Sequence, residues 1–162
     1  MSKVKGKDFK LKTPLFNKKK LRILGAELVN AIRKVTFNKT NPRMSNNAPF
    51  PAYTSKSYEL RKKTGKLRRQ DSKYKKSKAP VLTGDLWRDL THSTSPRKNE
   101  FSVGWNAHEY KIDHLTSMGR VITSKQNPVN PRAIKIVMPK INRMINKILV
   151  SGQQIITIGK KK

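Results

Sequence analysis

Apolar residues recur at helical spacing near the start of the chain. The positions, separated by three or four residues, are Leu21, Leu24, Leu28, Ile32 and Val35. This spacing places them along one face of an α-helix, and Asn17 is a typical N-cap residue. We therefore predict a helix over about residues 17–36, preceded by a basic arm over residues 1–16.

Turn-forming residues divide the middle of the chain. Residues 38–52 contain three prolines and four asparagines, which predicts a loop. After this loop, Thr54 or Ser55 can cap a short helix that Gly65 ends. Residues 66–80 are mostly polar or basic, and we predict an extended loop there.

The stretch KAPVLTGDLWRDL, at residues 78–90, predicts a second short helix. Thr83 is a suitable N-cap residue, and Gly84 permits close approach of neighbouring backbone. The helix is expected over about residues 84–90. Its apolar residues, which we expect to face the interior, are Leu86, Trp87 and Leu90.

Alternation of apolar and small residues predicts a strand over residues 100–105, where the sequence reads EFSVGW. A helix over about residues 107–118 then stops at Gly119. The remaining predicted elements are strands at 121–124 and 133–137, a last helix from Pro139 to Ser151-Gly152, and a closing strand in 153–158.

Helices interleaved with a few short strands predict an α+β fold. We expect a small, mainly antiparallel sheet, packed by the long N-terminal helix and a C-terminal helix. The predicted organisation is an arm at 1–16, one domain at 17–152 that carries the basic loop, and a strand or tail at 153–162.

The charge balance indicates a negatively charged partner. Thirty-eight lysines and arginines face nine acidic residues, which gives a formal net charge of +29, while only 35% of residues are hydrophobic. Such a field destabilises a free monomer through self-repulsion. Nucleic acid or acidic protein surfaces are therefore the expected partners.

Other compositional features exclude several classes of protein. The chain has no cysteine, so disulfides and thiolate metal sites are excluded. No apolar run approaches the roughly 20 residues that span a bilayer, and the basic N-terminus lacks the apolar segment of a secretory signal. We expect an intracellular product with no membrane partner.

The sequence gives little support for catalysis. His108 and His114 are six residues apart and lie on separate faces of a helix, whereas a zinc-protease helix needs histidines four apart. Asp85 and Asp89 could form an acid/base pair, but pairing with Arg88 and nearby lysines is the simpler interpretation. We expect no enzyme activity, no metal, no cofactor and no small-molecule substrate.

The densest basic run lies in the middle of the chain and includes two tyrosines. Its eleven cationic residues are Lys56, Arg61, Lys62, Lys63, Lys66, Arg68, Arg69, Lys73, Lys75, Lys76 and Lys78. Clustered cations bind phosphates by displacing counterions. However, no RNA-binding motif is present, so contact with acidic partner subunits, or simple solvation of the run, is favoured over direct contact with nucleic acid.

A set of short motifs appears in a specific order between about residues 20 and 150. Their residues are Pro51, Tyr53, Tyr58 and Lys62, then Leu82, Thr83, Gly84 and Leu86 with Trp87 beside them, then Val103 and Gly104, then Tyr110, His114 and Gly119, and finally Pro131 and Arg132. In this order and spacing, the chain resembles the neck and tail-completion proteins of tailed bacteriophages. This group is also described as virion morphogenesis or head–tail connector proteins.

The resemblance implies a structural virion protein without catalytic activity. It implies a homo-oligomeric ring in the phage neck, in contact with other connector, portal-adjacent or tail proteins and located in the virion after assembly in the host cytoplasm. Packaged DNA is a further candidate partner. The alternative interpretation is a ribosomal or other RNA- or DNA-packing basic protein, for which the charge would be equally natural.

Overall fold

The computed structural model of the protein describes residues 16–66, 72–74, 76–80, 84–96 and 100–158. In chain order, the elements are α1 (Lys18–Thr36), α2 (Lys56–Thr64), a 3₁₀ turn (Ser72–Tyr74), α3 (Asp85–Asp89), β1 (Leu90–Ser95), β2 (Glu100–Trp105), α4 (Glu109–Ser117) and α5 (Pro131–Ile158). The fold is α+β, as predicted from the sequence.

Helix α1 is the element around which the larger core forms. It packs against α5 and against both strands, because its apolar stripe covers one complete side of the helix. Asn17 caps it by accepting from the backbone N–H of Lys20 at 3.0 Å, as expected. The core residues are Phe16, Leu21, Leu24, Val29, Ala31, Ile32, Val35, Leu90, Phe101, Ala133, Val137 and Ile141.

Strands β1 and β2 form a two-stranded antiparallel sheet, in which Leu90 pairs with Trp105 and Ser95 pairs with Glu100. Helix α3 runs directly into β1. The sequence predicted β2 but not β1, since LTHSTS has a single strongly apolar residue, Leu90, which the sequence analysis assigned to the end of α3.

A smaller core lies beyond the sheet and joins the loops to α3 and α4. Its buried residues are Phe37, Phe50, Ala79, Leu86, Ile112 and Ile122. Trp105 packs against both cores, and its indole N–H donates to the Leu86 carbonyl at 2.9 Å. This contact fixes the end of β2 against α3.

Asp89 connects α3 to the start of α4. Its Oδ2 accepts hydrogen bonds from the backbone N–H groups of Asn106, Ala107 and His108 at 3.1, 3.0 and 2.9 Å. Burial alone would raise the pKa of Asp89, but these donors and nearby His108 outweigh burial and lower it. A carboxylate therefore closes the β2–α4 turn.

Helix α5 corrects several predictions for the last third of the chain. The region of residues 133–137 is helical and not a strand, and so is the region of 153–158. The helix begins at Pro131, and Pro139 lies inside it. Proline has no backbone N–H to donate, and Pro139 lies on the exposed side of the helix. Three residues at steps of four, Ala133, Val137 and Ile141, are buried in the larger core.

Residues 121–124 are also not a strand. They form part of an irregular segment between α4 and α5, in which the Thr123 hydroxyl donates to the Pro128 carbonyl at 3.0 Å. The α4 prediction was confirmed apart from its first residues, and Gly119 follows the helix with a φ of 69°. None of the helices in the described ranges is long and apolar enough to cross a membrane.

Gly25 lies where α1 packs closely against His92 of β1, and its replacement tests this packing. A Cβ at Gly25 would lie 2.6 Å from Cδ2 of His92. Gly→Ala normally stabilises a helix by up to ~1 kcal/mol, but here we expect Gly25→Ala to lower the free energy of unfolding by about 1–3 kcal/mol through overpacking. Urea unfolding measures this change.

The matched control is Gly25→Ala in a His92→Ala background. There, the clash is absent and the substitution should be neutral or stabilising. A stabilising effect of Gly25→Ala in the unmodified chain would contradict the described contact.

Candidate functional site

Lys62 is the centre of a cluster that joins α2 to the loops. Its side chain points inward from α2 and the residue is only 1% exposed. The ammonium donates to the carbonyls of Ser77 and Ala79 at 2.8 and 3.1 Å and to the Tyr53 hydroxyl. It also lies 4.8 Å from the centre of the Tyr53 ring, so that one lysine holds two loop segments together.

Arg120 completes this cluster from the other side. It is 2% exposed, and its guanidinium donates to the Pro51 carbonyl at 2.7 Å and to the Lys78 carbonyl. Its Cζ lies 4.3 Å from the ring centre of Tyr53 and 5.2 Å from that of Phe50. Two buried cations therefore share the Tyr53 ring.

Burial and the charge of Arg120 shift the pKa values of Lys62 and Tyr53. Burial, together with the charge of Arg120, lowers the pKa of Lys62 from 10.5 to about 8. Burial also raises the pKa of Tyr53 to about 12, a rise that Arg120 reduces. Between pH 8 and 10.5 the unfolded chain keeps the Lys62 proton while the folded chain loses it. Burial of the charged ammonium therefore lowers the free energy of unfolding fully below pH 8, and this penalty is relieved as the pH rises from 8 to 10.5.

An open cleft of about 560 Å³ lies over this cluster. Its lining residues are Tyr53, Thr54, Ser55, Tyr58, Pro80, Gly84, Asp85, Leu86, Trp87, Lys111, His114, Leu115, Met118 and Arg120. The lining residues come from the start of α2, from Pro80 and Gly84–Trp87, from α4, and from the turn that follows α4. We call this cavity the Tyr53 cleft.

Many of the motif residues meet at the Tyr53 cleft. The motif residues that line it are Tyr53, Tyr58, Gly84, Leu86, Trp87 and His114. The Tyr53 and Tyr58 rings lie 5.1 Å apart at an angle of 57°. Lys62 and Pro51 are not lining residues, but each contacts one: Lys62 donates to the Tyr53 hydroxyl, and the Pro51 carbonyl accepts from Arg120.

Gly84 has a φ of 82°, and a Cβ there would approach the Trp87 indole nitrogen to 2.9 Å. The structure places Gly84 itself as the N-cap residue of α3, without a side-chain cap. The predicted cap Thr83 and its neighbour Leu82 lie outside the described residues.

The other motif residues lie elsewhere. Gly104 lies in β2 and lines a second cavity, while Tyr110 is 66% exposed on α4. Gly119 lies directly before Arg120 and turns the chain toward the cluster. Arg132 is exposed in the first turn of α5, where its backbone N–H donates to Asn130 Oδ1 at 2.8 Å.

The residues of the basic run divide into two groups. Those with exposed side chains are Lys56, Arg61, Lys63, Lys66, Lys73, Lys76 and Lys78. Lys62 is buried, which corrects its assignment to a polyanion-contacting surface. Arg68, Arg69 and Lys75 lie outside the described residues.

The acidic residues that were considered for catalysis have structural contacts. Asp85 pairs with Arg88 at 3.0 Å and with Lys111 at 3.8 Å, as expected. Asp89 binds backbone N–H groups, and its expected pairing with lysine is replaced by a 3.5 Å contact to His108 Nδ1. Within the described ranges, no group of three potential metal ligands occurs.

Two cations of this region, Arg120 and Arg33, were not among the residues predicted from the sequence. Arg120 follows a glycine and precedes the apolar pair Val121 and Ile122, and this apolar setting is the signal that could have found it. Arg33 lies on the flank of the α1 stripe. It donates to the Trp87 carbonyl at 3.0 Å and the Leu90 carbonyl at 2.9 Å, and its Cζ lies 5.2 Å from the centre of the Trp87 ring.

Comparison with known proteins finds no matching family model, no matching curated sequence and no matching solved structure.

Lys62 and Lys63 form a matched pair for testing the cluster. We expect Lys62→Met to lower the free energy of unfolding by about 2 kcal/mol or more, because the buried Ser77 and Ala79 carbonyls lose their donor. Lys63 is exposed and pairs with Glu59 at 2.9 Å, so Lys63→Met should change stability by only about 0.5 kcal/mol. Urea unfolding followed by circular dichroism measures both; equal effects of the two substitutions would refute the anchoring role of Lys62.

Proposed function

We propose that the protein is a non-enzymatic structural component of a tailed-phage virion. In this proposal it forms an oligomeric ring in the neck, where it completes the head–tail connection. Its partners are other copies of itself and neighbouring connector, portal-adjacent or tail proteins. It is assembled in the host cytoplasm and retained in the virion.

The observation that carries the proposal is the convergence of the motif residues. Pro51, Tyr53, Tyr58 and Lys62 come from one stretch of sequence, and Gly84, Leu86 and Trp87 from another. Tyr53 and Tyr58 of the first stretch and all three residues of the second line the Tyr53 cleft, and so does Arg120, which follows the motif residue Gly119. A shared structural role for these motifs supports the resemblance on which the proposed function rests.

Surface composition supports an assembled state. Apolar residues are exposed along α5, including Ile134 at 41%, Ile136 at 50% and Leu149 at 54%. A ring requires two different complementary faces on each subunit. The formal net charge of +29 would be neutralised by acidic neighbours or by DNA in the channel, since a free monomer of this charge repels itself.

Ring formation is the direct test of the proposed function. The full-length protein, purified at high salt and then dialysed to lower salt with and without double-stranded DNA, should form closed rings in negative-stain class averages and a discrete oligomer in mass photometry. A chain that stays monomeric, and instead binds RNA with a steep salt dependence, would contradict the proposal and favour the RNA-packing alternative.

The basic loop provides a second prediction. We expect replacement of Lys73, Lys75, Lys76 and Lys78 by glutamine to impair ring assembly or DNA retention while circular dichroism shows a folded protomer. The control replaces an equal number of exposed lysines elsewhere: Lys19, Lys34, Lys39 and Lys125. Equal loss in both variants would show that total charge, and not this loop, controls assembly.

A further inference from the structure

The Tyr53 cleft combines an apolar wall with a basic floor. The apolar and aromatic residues of the wall are Tyr53, Tyr58, Leu86, Trp87, Leu115 and Met118. Its volume of about 560 Å³ lies within the range of pockets that bury a ligand of several side chains. Met118 is 38% exposed, so apolar surface is accessible at the mouth of the cleft.

The acidic groups at the cleft are already paired with cations. Asp85 contacts Arg88 and Lys111, and Glu59, next to Tyr58, contacts Lys63. None of the carboxylates within the described ranges forms an ion pair with Arg120. Arg120 is instead held by carbonyl dipoles and aromatic faces, which do not cancel a full charge. The buried end of the cleft therefore has positive potential, and an anionic group there would lower the cost of burying Arg120.

Two donors in the walls also have no acceptor. Arg120 Nε and Trp87 Nε1 are buried without a hydrogen-bond partner. Buried N–H groups are nearly always hydrogen-bonded, and exceptions point to a missing acceptor. An occupant that carries carboxylates and backbone carbonyls would supply such acceptors.

We propose that the Tyr53 cleft binds an acidic peptide segment of a partner protein. An aliphatic or aromatic side chain of the segment packs between Tyr58, Leu86 and Met118, and flanking carboxylates face Lys111 and Arg120. This inference rests on the proposed structural role. It adds that one neighbour in the assembly carries the acidic segment.

A protein segment fits the cleft better than nucleic acid does. A nucleic-acid backbone needs a row of cations spaced along its path, whereas the described lining of the cleft has one lysine and one arginine, Lys111 and Arg120, among mainly apolar and aromatic side chains. The exposed lysines of α2, Lys56 and Lys63, lie outside the lining of the cleft. They favour the approach of an acidic partner through long-range attraction.

Fluorescence anisotropy with the full-length protein tests the proposal. The probe is a fluorescein-labelled decapeptide of glutamate and aspartate around a central Leu-Phe pair. One comparison peptide has Ser-Ser in the centre, and another has glutamine and asparagine in place of the acids. We expect each comparison peptide to bind about tenfold more weakly or worse, because binding needs both the apolar anchor and the charge.

Two protein variants locate the binding site. Met118→Glu places a charge in the cleft, and Gln126→Glu places the same charge on the segment before α5, at an exposed position outside the lining of the cleft. Both make the same change in net charge. We expect Met118→Glu to weaken binding of the acidic Leu-Phe peptide about tenfold or more, while Gln126→Glu changes it less than about twofold.

Several outcomes would overturn the proposal. Equal binding of the acidic Leu-Phe and Ser-Ser peptides, or equal effects of the two variants, would show a general response to charge. Displacement of the peptide by a short oligouridine, with the same sensitivity to Met118→Glu, would assign the cleft to nucleic acid. If the protein forms rings but does not bind the peptide selectively, only the proposed peptide site is refuted. If it binds the peptide selectively but forms no rings, the peptide site is supported and the connector role is refuted.

Discussion

Three cationic side chains donate hydrogen bonds to main-chain carbonyls in the loops between α1 and β1 and at the point where α3 passes into β1. Arg33 binds the carbonyls of residues 87, 88 and 90, Lys62 binds those of 77 and 79, and Arg120 binds those of 51 and 78. Buried carbonyls must find donors, and the loops between α1 and β1 provide few of their own. Because one guanidinium carries five N–H donors and one ammonium three, a few cations can hold long loops together.

The use of cations as donors also determines the electrostatics of the Tyr53 cleft. A neutral donor would satisfy the same carbonyls without leaving charge in the interior. Lys62 and Arg120 instead place two positive charges around one tyrosine ring, and each makes the other more costly to bury. The aromatic faces of Tyr53 and Phe50 offset part of this cost. The remaining positive potential is what links the internal packing to the proposed recognition of acidic segments.

Sequence patterns predicted the elements whose apolar residues follow one clear period. The α1 stripe, the Ser55 and Gly65 ends of α2, and the alternation in β2 belong to this class. β1 was missed because pairing with β2, not its own residues, makes it a strand. The start of α5 was wrong because Pro139 was taken as a first-turn proline, although the buried residues at steps of four begin at Ala133.

Of the cleft, the motifs identified Tyr53, Tyr58 and Trp87, since aromatic residues beside turn signals are distinctive. Lys62 was named, but it was assigned to the solvent-exposed run because nothing local separates one lysine from its neighbours. Arg120 was not predicted, although the glycine before it and the apolar pair Val121 and Ile122 after it distinguish it locally. Which cation faces inward depends on where loops distant in sequence place their carbonyls, and that is a property of the tertiary fold.

The pKa of Lys62 tests the buried-cation account most directly. In protein labelled with ¹³C and ¹⁵N at lysine, NMR titration of the side-chain signals follows each ammonium, and Lys62→Arg assigns the signal of interest. This signal should titrate at a pKa of about 8, well below the ordinary 10.5. Titration of Lys62 at its ordinary pKa of 10.5 would contradict the burial of this cation, because it would place the ammonium in water.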